Sequence, residues 1–180
     1  MKELKSSNFK SEEEFKKVEN GIKILENLEH PDIIKYFNFF FENGNLYVIM
    51  EYIDGGSLMK RIIEKKELLN EKTLWILLIQ SFNGLLYLHH NKINHRNIKL
   101  ENILIVGKDN LKLSDIDIFE IINKVCENNN IPKEISLTKK GNFNSDLYML
   151  GLSFTYLMIN KIPEKEIDFR YYKFPNNEAK

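Results

Sequence analysis

The sequence of 180 residues predicts an α+β fold, with a small sheet near the front of the chain and a mainly helical part behind it. Two observations support this prediction. Aromatic and β-branched residues fill Ile33–Phe41 and Leu46–Tyr52, and the turn residues Asn43-Gly44-Asn45 separate them, which is the pattern of a β-hairpin. Farther along, the apolar segments Glu71–His90 and Asp146–Ile159 have the length and spacing of helices.

A first helix is predicted before the hairpin. The sequence Ser11-Glu12-Glu13-Glu14 places Ser and Glu three residues apart, as in a capping box. His30-Pro31 stops the helix, which is expected to run to about Leu28. Its predicted buried face consists of Phe15, Val18, Ile22, Leu25 and Leu28.

Two more helices are predicted after the chain-breaking sequence Asp54-Gly55-Gly56. Ser57 is expected to cap a short helix that runs to about Lys66, and Asn70 is expected to cap the long helix Glu71–His90. The residues predicted to lie inside on the long helix are Leu74, Leu77, Leu78, Phe82, Leu85, Leu86 and Leu88.

The rest of the chain is less regular. Short strands are predicted at Ile103–Val106 and Leu111–Leu113, on either side of the turn Gly107–Asn110. Glu120–Glu134 reads as irregular, and Phe169–Lys180 has no clear periodicity.

Composition and charge exclude several classes of protein. Lys plus Arg and Asp plus Glu each number 26, so no net charge favours nucleic acid or a lipid surface. The single cysteine, Cys126, excludes an internal disulfide framework and is typical of a reducing compartment. The N-terminal segment lacks the apolar core of a signal peptide, and no apolar run is long enough to span a bilayer. We expect an intracellular protein, cytoplasmic or nuclear, without nucleic-acid or membrane partners.

Six short motifs follow one another in a characteristic order. They are IKILENLEHPDII at 22–34, LYVIMEYIDGGSL at 46–58, INHRNIKLENIL at 93–104, KLSDID at 112–117, PKE at 132–134 and SDLYMLG at 145–151. This order and spacing resemble the eukaryotic protein kinase domain, especially the Ste20-like and NIMA-related groups of its serine/threonine branches. One motif alone would be weak, but six at this spacing are specific.

The resemblance extends from about Met1 to Ile162 and implies one partial kinase domain over residues 1–180. The expected fold is the bilobal fold of a kinase, shortened at both ends. Residues 1–53 would form the remnant of the N-lobe and the hinge, with a reduced sheet and the αC helix. Residues 54–180 would form a partial, mainly helical C-lobe that lacks the last helices.

The resemblance also places the catalytic and metal-binding positions. Asn97 stands where the motif H-R-D-L-x-x-x-N has the aspartate that accepts the proton of the substrate hydroxyl. Lys99 matches the lysine that approaches the transferred phosphate. Asn102 and Asp115 match the two magnesium ligands, and both supply the oxygen atoms that Mg²⁺ prefers. Asp146 matches the aspartate that anchors the backbone of the catalytic loop.

The positions expected to bind nucleotide lie on both sides of the hinge. By resemblance, Met50 is the gatekeeper, Glu51 and Ile53 belong to the hinge, and Leu104 forms the floor under the adenine. Lys2 is the best match for the lysine that contacts the phosphates, because of its spacing to the αC helix. The alternative for Lys2 is an ordinary terminal lysine without that role.

Several departures from the family pattern predict impaired chemistry. Asn97 has the shape of aspartate but cannot act as a base at neutral pH. Gly21 occupies the position of the αC glutamate and cannot form its ion pair, while Glu19 lies on a different helix face. No G-x-G-x-x-G motif is present to cover the phosphates. Asp117 replaces the glycine of D-F-G, either as an extra magnesium ligand or as a perturbation of the turn.

Two further features bear on regulation and partners. Ile118–Glu134 contains no Ser, Thr or Tyr, so this segment offers no phosphorylation site that could pair with Arg96. The apolar faces of the helices Glu71–His90 and Asp146–Ile159 are expected to be partly uncovered, which favours a protein partner or self-association.

These observations predict a pseudokinase, a protein-kinase-domain protein with impaired catalysis that acts by binding nucleotide, another protein such as a kinase, or both. ATP and Mg²⁺ are the implied cofactors, with binding that is weakened or absent. The first alternative is an active, ATP-dependent serine/threonine kinase of which this chain is an incomplete record. The second is a degenerate copy without a stable fold.

Overall fold

A computed structural model describes residues 2–5, 12–42, 45–65, 69–117 and 143–159. In chain order, their regular elements are β1 (Lys2–Lys5), α1 (Glu12–Glu26), β2 (Tyr36–Glu42), β3 (Asn45–Met50), α2 (Leu58–Lys65), α3 (Glu71–His90), a 3₁₀ turn (Leu100–Asn102), β4 (Ile103–Val106), β5 (Asn110–Leu113) and α4 (Phe143–Ile159). The strands are segregated from most of the helices, so the predicted α+β class is confirmed.

The first sheet has the strand order β1-β3-β2, and both pairings are antiparallel. Its central strand alternates in the way expected for a half-buried strand, since Leu46 and Val48 are buried and their neighbours are less so. Val48 is opposite Lys2 on one side and Phe39 on the other. This pairing places the backbone of Lys2 at a defined position in the sheet.

The predicted hairpin forms, but its strands differ from the predicted ranges. The first strand begins at Tyr36 instead of Ile33, and the second ends at Met50 instead of Tyr52. The early residues pair elsewhere: the N–H of Ile34 donates to the carbonyl of Leu113 at 2.9 Å, and the N–H of Leu113 donates to the carbonyl of Asp32 at 2.8 Å. The segment before Tyr36 therefore has the composition of a strand, but its backbone hydrogen bonds are made with β5 of the second sheet.

Two predicted helix ends are also corrected. The helix α1 ends at Glu26, so Leu28 lies beyond it, although Leu28 is buried as expected. The helix α4 begins at Phe143, three residues before the predicted start at Asp146. By contrast, α3 has its predicted bounds, and the side-chain oxygen of Asn70 accepts a hydrogen bond from the N–H of Thr73 at 2.9 Å, as expected of an N-cap.

The helix α3 packs against β5 and α4, but two of its residues do not lie where the apolar pattern predicts. Leu77, Leu85 and Leu88 are buried as expected, whereas Phe82 and Leu86 are exposed. The prediction was wrong for these two because apolar residues surround the whole helix, and composition alone does not say which side faces the core.

One hydrophobic core connects the two sheets and the helices. It includes Val48 of the first sheet, Leu113 of the second and Phe154 of α4, all with 2% exposure or less. Gly84 on α3 allows a close approach, because an added Cβ would lie 3.1 Å from the backbone oxygen of Asp32. The segment after α1, the long helix and the second sheet therefore meet at one point.

In the described part of the chain, no helix is long and apolar enough to cross a membrane. Several sequence predictions concern residues outside that part: the capping residue Ser11, the turn residues Asn43-Gly44, and the segments Glu120–Glu134 and Phe169–Lys180. The 3₁₀ turn at Leu100–Asn102 was not predicted.

Candidate nucleotide and phosphate site

The connection between β3 and α2 lies against the second sheet. The backbone N–H of Ile105 donates to the carbonyl of Gly56 at 2.9 Å, and Ser57 forms an antiparallel bridge with Leu104. Gly55 is required by the close approach, since a Cβ at this position would overlap the backbone oxygen of Ile105. The proposed adenine floor, Leu104, is therefore held directly beside the end of this connection.

Two predicted nucleotide positions, Met50 and Ile53, lie at the start of this connection, and a third, Leu104, lies beside it on β4. Met50 ends β3 and Ile53 follows it, and both are partly buried against the core, as is Leu104. Among the described residues, no backbone carbonyl accepts a hydrogen bond from the N–H of Ile53. The arrangement thus combines apolar side chains with a backbone donor, which is typical of a small-molecule site.

Glu51 makes contacts that join the connection to β5. Its Oε2 lies 3.0 Å from the Nζ of Lys112 and accepts a hydrogen bond from the backbone N–H of Lys35 at 3.2 Å. The ammonium group of Lys112 also donates to the carbonyl of Ile33 at 3.3 Å. Both charged side chains are less than one-third exposed, so this ion pair is more shielded than a surface pair. Sequence reasoning assigned no role to Lys112, although it belongs to the quoted motif KLSDID.

The segment 95–97 is anchored by a buried carboxylate. Asp146 on α4 is 1% exposed, and its two oxygens accept hydrogen bonds from the backbone N–H groups of His95 and Arg96, both at 2.7 Å. The Nε2 of His89 lies 3.0 Å from the same carboxylate. Arg96 has a φ of 58°, an unfavourable conformation for a residue with a Cβ, and the two short hydrogen bonds hold the backbone there.

Asn97, Asn102 and Asp115 are connected by hydrogen bonds. The Nδ2 of Asn102 donates to the carbonyl of Asn97 at 2.7 Å, and the Nδ2 of Asn97 donates to the carbonyl of Asp115 at 3.3 Å. The carbonyl of Asn102 in turn accepts from the backbone N–H of Ser114 at 2.9 Å and from its hydroxyl at 3.1 Å. Three of the four residues that the sequence predicted for catalysis and metal binding are therefore held together, the fourth being Lys99.

Comparison with known proteins explains this arrangement. The sequence model of the protein kinase domain matches residues 1–170. The chain belongs to the protein kinase family. Its α+β architecture, with a small sheet and one helix followed by mainly helical structure, is the fold of that domain.

Several similar proteins are serine/threonine-protein kinases. The chain is 37% identical over 139 residues to human serine/threonine-protein kinase Nek5, which covers 71% of this chain and 20% of Nek5. It is 33% identical over 150 residues to mouse serine/threonine-protein kinase Nek1, covering 78% of this chain and 12% of Nek1. It is also 27% identical over 172 residues to the cell cycle serine/threonine-protein kinase CDC5/MSD2 of Saccharomyces cerevisiae, covering 90% of this chain and 24% of that protein. The chain thus spans a quarter or less of the length of these relatives.

Within the kinase domain, the sequence motifs predict that Gly21 takes the position of the αC glutamate. Gly21 is buried in α1, and in an active kinase the glutamate at that position pairs with a lysine. Glu19 does not replace it, because its carboxylate pairs with Lys23 at 2.9 Å, on the surface and one turn farther along the same helix. The ion pair predicted to be missing therefore has no substitute from Glu19.

The residues Tyr36 and His95 bring buried polar atoms close to Asp115. The hydroxyl of Tyr36 and the Nε2 of His95 are both buried. Backbone groups of Ile116 and Ser114 lie near the Tyr36 hydroxyl and the His95 ring, respectively. Burial lowers the pKa of His95 from 6.5 to about 4, against the opposing effect of the Asp146 and Asp115 carboxylates. Burial likewise raises the pKa of Tyr36. His95 is therefore neutral in the folded domain at neutral pH.

The donor set fits Mg²⁺ only in combination with phosphate. In the described residues, no group of three or more His, Cys, Asp or Glu side chains could hold a metal ion. Asn102 and Asp115 offer one amide and one carboxylate, and Mg²⁺ in kinases typically completes its shell with phosphate oxygens and water. Because the Nδ2 of Asn102 donates to the Asn97 carbonyl, its Oδ1 is the atom that would bind a metal ion if the sequence prediction holds. Mg²⁺ held there would neutralise phosphate charge.

The remaining predicted residues have simpler placements. Lys99 is exposed and directly precedes the 3₁₀ turn that carries Asn102. Asp117 follows Asp115 closely, and its N–H donates to the carbonyl of His95 at 3.0 Å. This hydrogen bond gives Asp117 a backbone role in joining the two loops. Sequence reasoning also missed His89, whose position in the sequence LHH gave no signal of its contact with Asp146.

Proposed function

We propose that this kinase domain is a pseudokinase, which binds Mg²⁺ and a nucleotide weakly and transfers phosphate poorly or not at all. Asn97 is the observation that carries this proposal. It takes the place of the proton-accepting aspartate, and its side-chain amide is used as a donor to the carbonyl of Asp115. A carboxylate cannot donate that hydrogen bond, and an amide cannot accept a proton at neutral pH.

The missing base would lower the rate without abolishing binding. General-base assistance is typically worth about 10²–10⁴-fold in rate. Gly21 removes the ion pair that holds the phosphate-binding lysine in active kinases, and we propose Lys2 as that lysine only in a weakened role. Neither change removes Asn102 or Asp115, which are the proposed metal ligands. The proposed nucleotide contacts are Met50, Glu51, Ile53 and Leu104.

Thermal unfolding of the purified chain with ATP, in the presence and absence of Mg²⁺, tests nucleotide binding. Ligand at about 100 times its Kd should stabilise the domain by roughly 2.7 kcal/mol, which corresponds to a rise of several degrees in Tm. We expect a Mg²⁺-dependent rise that Asp115→Ala abolishes. Asp109→Ala, a matched change in the turn between β4 and β5, should leave the rise intact. A rise of equal size in Asp115→Ala would show that the metal site is assigned wrongly.

Phosphate transfer tests the catalytic part of the proposal. We expect the wild-type chain to show no more transfer to a generic serine-containing protein than Asp115→Ala does. Asn97→Asp alone should not restore transfer, because Gly21 still lacks the carboxylate of the ion pair. Robust turnover by Asn97→Asp would contradict this account.

An active serine/threonine kinase is the second candidate, and two observations favour it. The relatives are serine/threonine kinases, and Asp146 holds the catalytic loop by two short hydrogen bonds. Since phosphate transfer depends mainly on positioning and electrostatics, a chain without the base could retain measurable activity. ATP-dependent transfer by the wild-type chain that Asp115→Ala removes would establish this candidate. If the chain is a pseudokinase, its biological role is to bind another protein, or a second copy of itself, inside the cell.

A further inference from the structure

An apolar stripe lies on the outer face of α3. It consists of Trp75, Ile79, Phe82 and Leu86, whose exposed fractions are 52%, 57%, 46% and 56%. The opposite face of the helix packs into the core through Leu77, Leu85 and Leu88. From Thr73 to His90 the helix has no Asp, Glu, Lys or Arg, so its outer face lacks the charges of an ordinary surface helix.

The spacing of this stripe matches a helix–helix seam. Its members are separated by four, three and four residues, which is the a/d pattern of helices that pack side by side. The pattern also reads the same in both directions. In an antiparallel pair of identical helices, Trp75 of one copy therefore comes level with Leu86 of the other, and Ile79 comes level with Phe82. Each aromatic side chain then faces an aliphatic one, which is a favourable fit of large against small.

We propose that a second copy of this chain covers the stripe, through antiparallel pairing of the two α3 helices about a twofold axis near Gln80 and Ser81. Such an isologous contact is the commonest form of homodimer. Antiparallel pairing also sets the two helix dipoles in opposition and brings Glu71 of one copy level with His90 of the other.

The area of the stripe sets the expected strength of the dimer. Four side chains that are about half exposed present on the order of 400 Å² per copy, which lies within the range of about 300–600 Å² for the largest apolar patch on a typical monomer. Two copies would bury about 800 Å² through the stripe alone, and flanking residues such as Ile76 and Asn83 bring the interface towards the lower limit of about 1,200 Å² for specific association. A reversible dimer of moderate affinity is expected.

Sedimentation of the full chain over a range of concentrations tests the proposal. We expect a reversible monomer–dimer equilibrium that Ile79→Glu weakens by at least about tenfold, since it buries a charge in the seam. The matched control is Phe37→Glu on β2, where the wild-type side chain is 58% exposed and lies outside the stripe; it should leave the equilibrium unchanged. A wild-type chain that stays monomeric up to about 100 µM, where a Kd of roughly 10 µM gives mostly dimer, would overturn the proposal. Monomer would also be the outcome if residues 160–180 covered the stripe.

Disulfide trapping tests the antiparallel geometry and does not depend on Ile79→Glu folding. In a Cys126→Ser background, Trp75→Cys and Leu86→Cys chains are mixed and oxidised. Antiparallel pairing separates two copies of residue 75 by about 16 Å along the helix, too far for a disulfide, but brings residue 75 level with residue 86. We expect the mixture to cross-link at least about ten times more than either variant alone. Equal cross-linking by Trp75→Cys alone would rule out the antiparallel seam.

Discussion

At the scale of single residues, Asn97 shows how one atom changes both chemistry and structure. The residue is half-buried, and its Nδ2 donates to the carbonyl of Asp115 at 3.3 Å. Asn97→Asp would place a carboxylate oxygen against that carbonyl, replacing an attraction by a repulsion. We expect this variant to be about 1–3 kcal/mol less stable than the wild type, as measured by urea unfolding. Asn97→Ala, which removes the donor without adding charge, should cost less.

If Asn97→Asp proves as stable as the wild type, the amide contact has no structural value. The substitution in this chain would then reflect only the loss of a catalytic base. The comparison is informative because the same variant is the one designed to test catalysis. An aspartate that destabilises the loop would give a second reason, beside Gly21, why Asn97→Asp fails to restore turnover, whereas a stable variant would leave Gly21 as the reason.

His95 provides a second prediction at the residue scale. Its pKa is about 4 in the folded chain because of burial, below its ordinary value of 6.5. The unfolded chain therefore takes up the proton first as the pH falls. The stability contributed by neutral His95 is fully present above pH 6.5 and is lost between pH 6.5 and 4, at up to about 1.4 kcal/mol per pH unit.

The pH dependence can be assigned to His95 by substitution. His95→Leu removes the titrating group, so its unfolding free energy should vary less steeply over this range. Urea unfolding at several pH values would measure both slopes. Identical slopes in the two proteins would mean that other groups cause the acid sensitivity.

At the scale of secondary-structure elements, the connection between β3 and α2 depends on one glycine. A Cβ at Gly55 would overlap the backbone oxygen of Ile105, and the backbone cannot yield as a side chain could. We expect Gly55→Ala to detach this connection from β4, to lower Tm and to weaken nucleotide binding. Gly107→Ala is the control: unlike Gly55, Gly107 has a left-handed φ of 62°, but no atom lies within 4 Å of the added Cβ. It should cost only about 1–2 kcal/mol of backbone strain. Equal losses in the two variants would show that the close approach is unimportant.

The sequence predicts some elements better than others, because some are defined by contacts between residues close in the sequence and others by contacts between distant residues. The helix α3 has its predicted bounds because Asn70 caps it locally. The strand β1 was not predicted from periodicity, because Lys-Glu-Leu-Lys carries no strand pattern and is defined only by its pairing with β3. The exposure of Phe82 and Leu86 depends on which neighbours pack against α3, and composition contains no such information.

In the candidate site, too, the sequence predicts what depends on local motifs and misses what depends on distant contacts. The motifs predicted that Asn97, Asn102 and Asp115 belong to one site, since their roles are tied to a short sequence pattern. They gave no indication of the ion pair between Glu51 and Lys112, whose partners are far apart in the chain. Tertiary hydrogen bonds and ion pairs of this kind depend on how the two sheets approach one another.

At the scale of the whole molecule, the core is continuous across both sheets, so the described domain should unfold as one unit. The junction lies at Ile33, which is 2% exposed, bridges to Leu113 and contacts the α3 helix beside Gly84. Ile33→Ala would remove apolar contacts from all three elements and should cost about 2–5 kcal/mol. Because the elements share one core, the loss should appear equally in every structural probe.

Two probes report on different parts of the chain and can be compared during unfolding. Fluorescence of the single tryptophan, Trp75, follows α3, whereas amide exchange of Val48 follows the first sheet. In a single cooperative unit, Ile33→Ala lowers the unfolding free energy measured at both places by the same amount. If exchange at Val48 accelerates while the tryptophan transition is unchanged, the first sheet opens independently of the helical part. In that case a nucleotide that contacts residues on both sides would link the first sheet to the helical part. Adding ATP with Mg²⁺ should then make the two parts unfold in a single transition again.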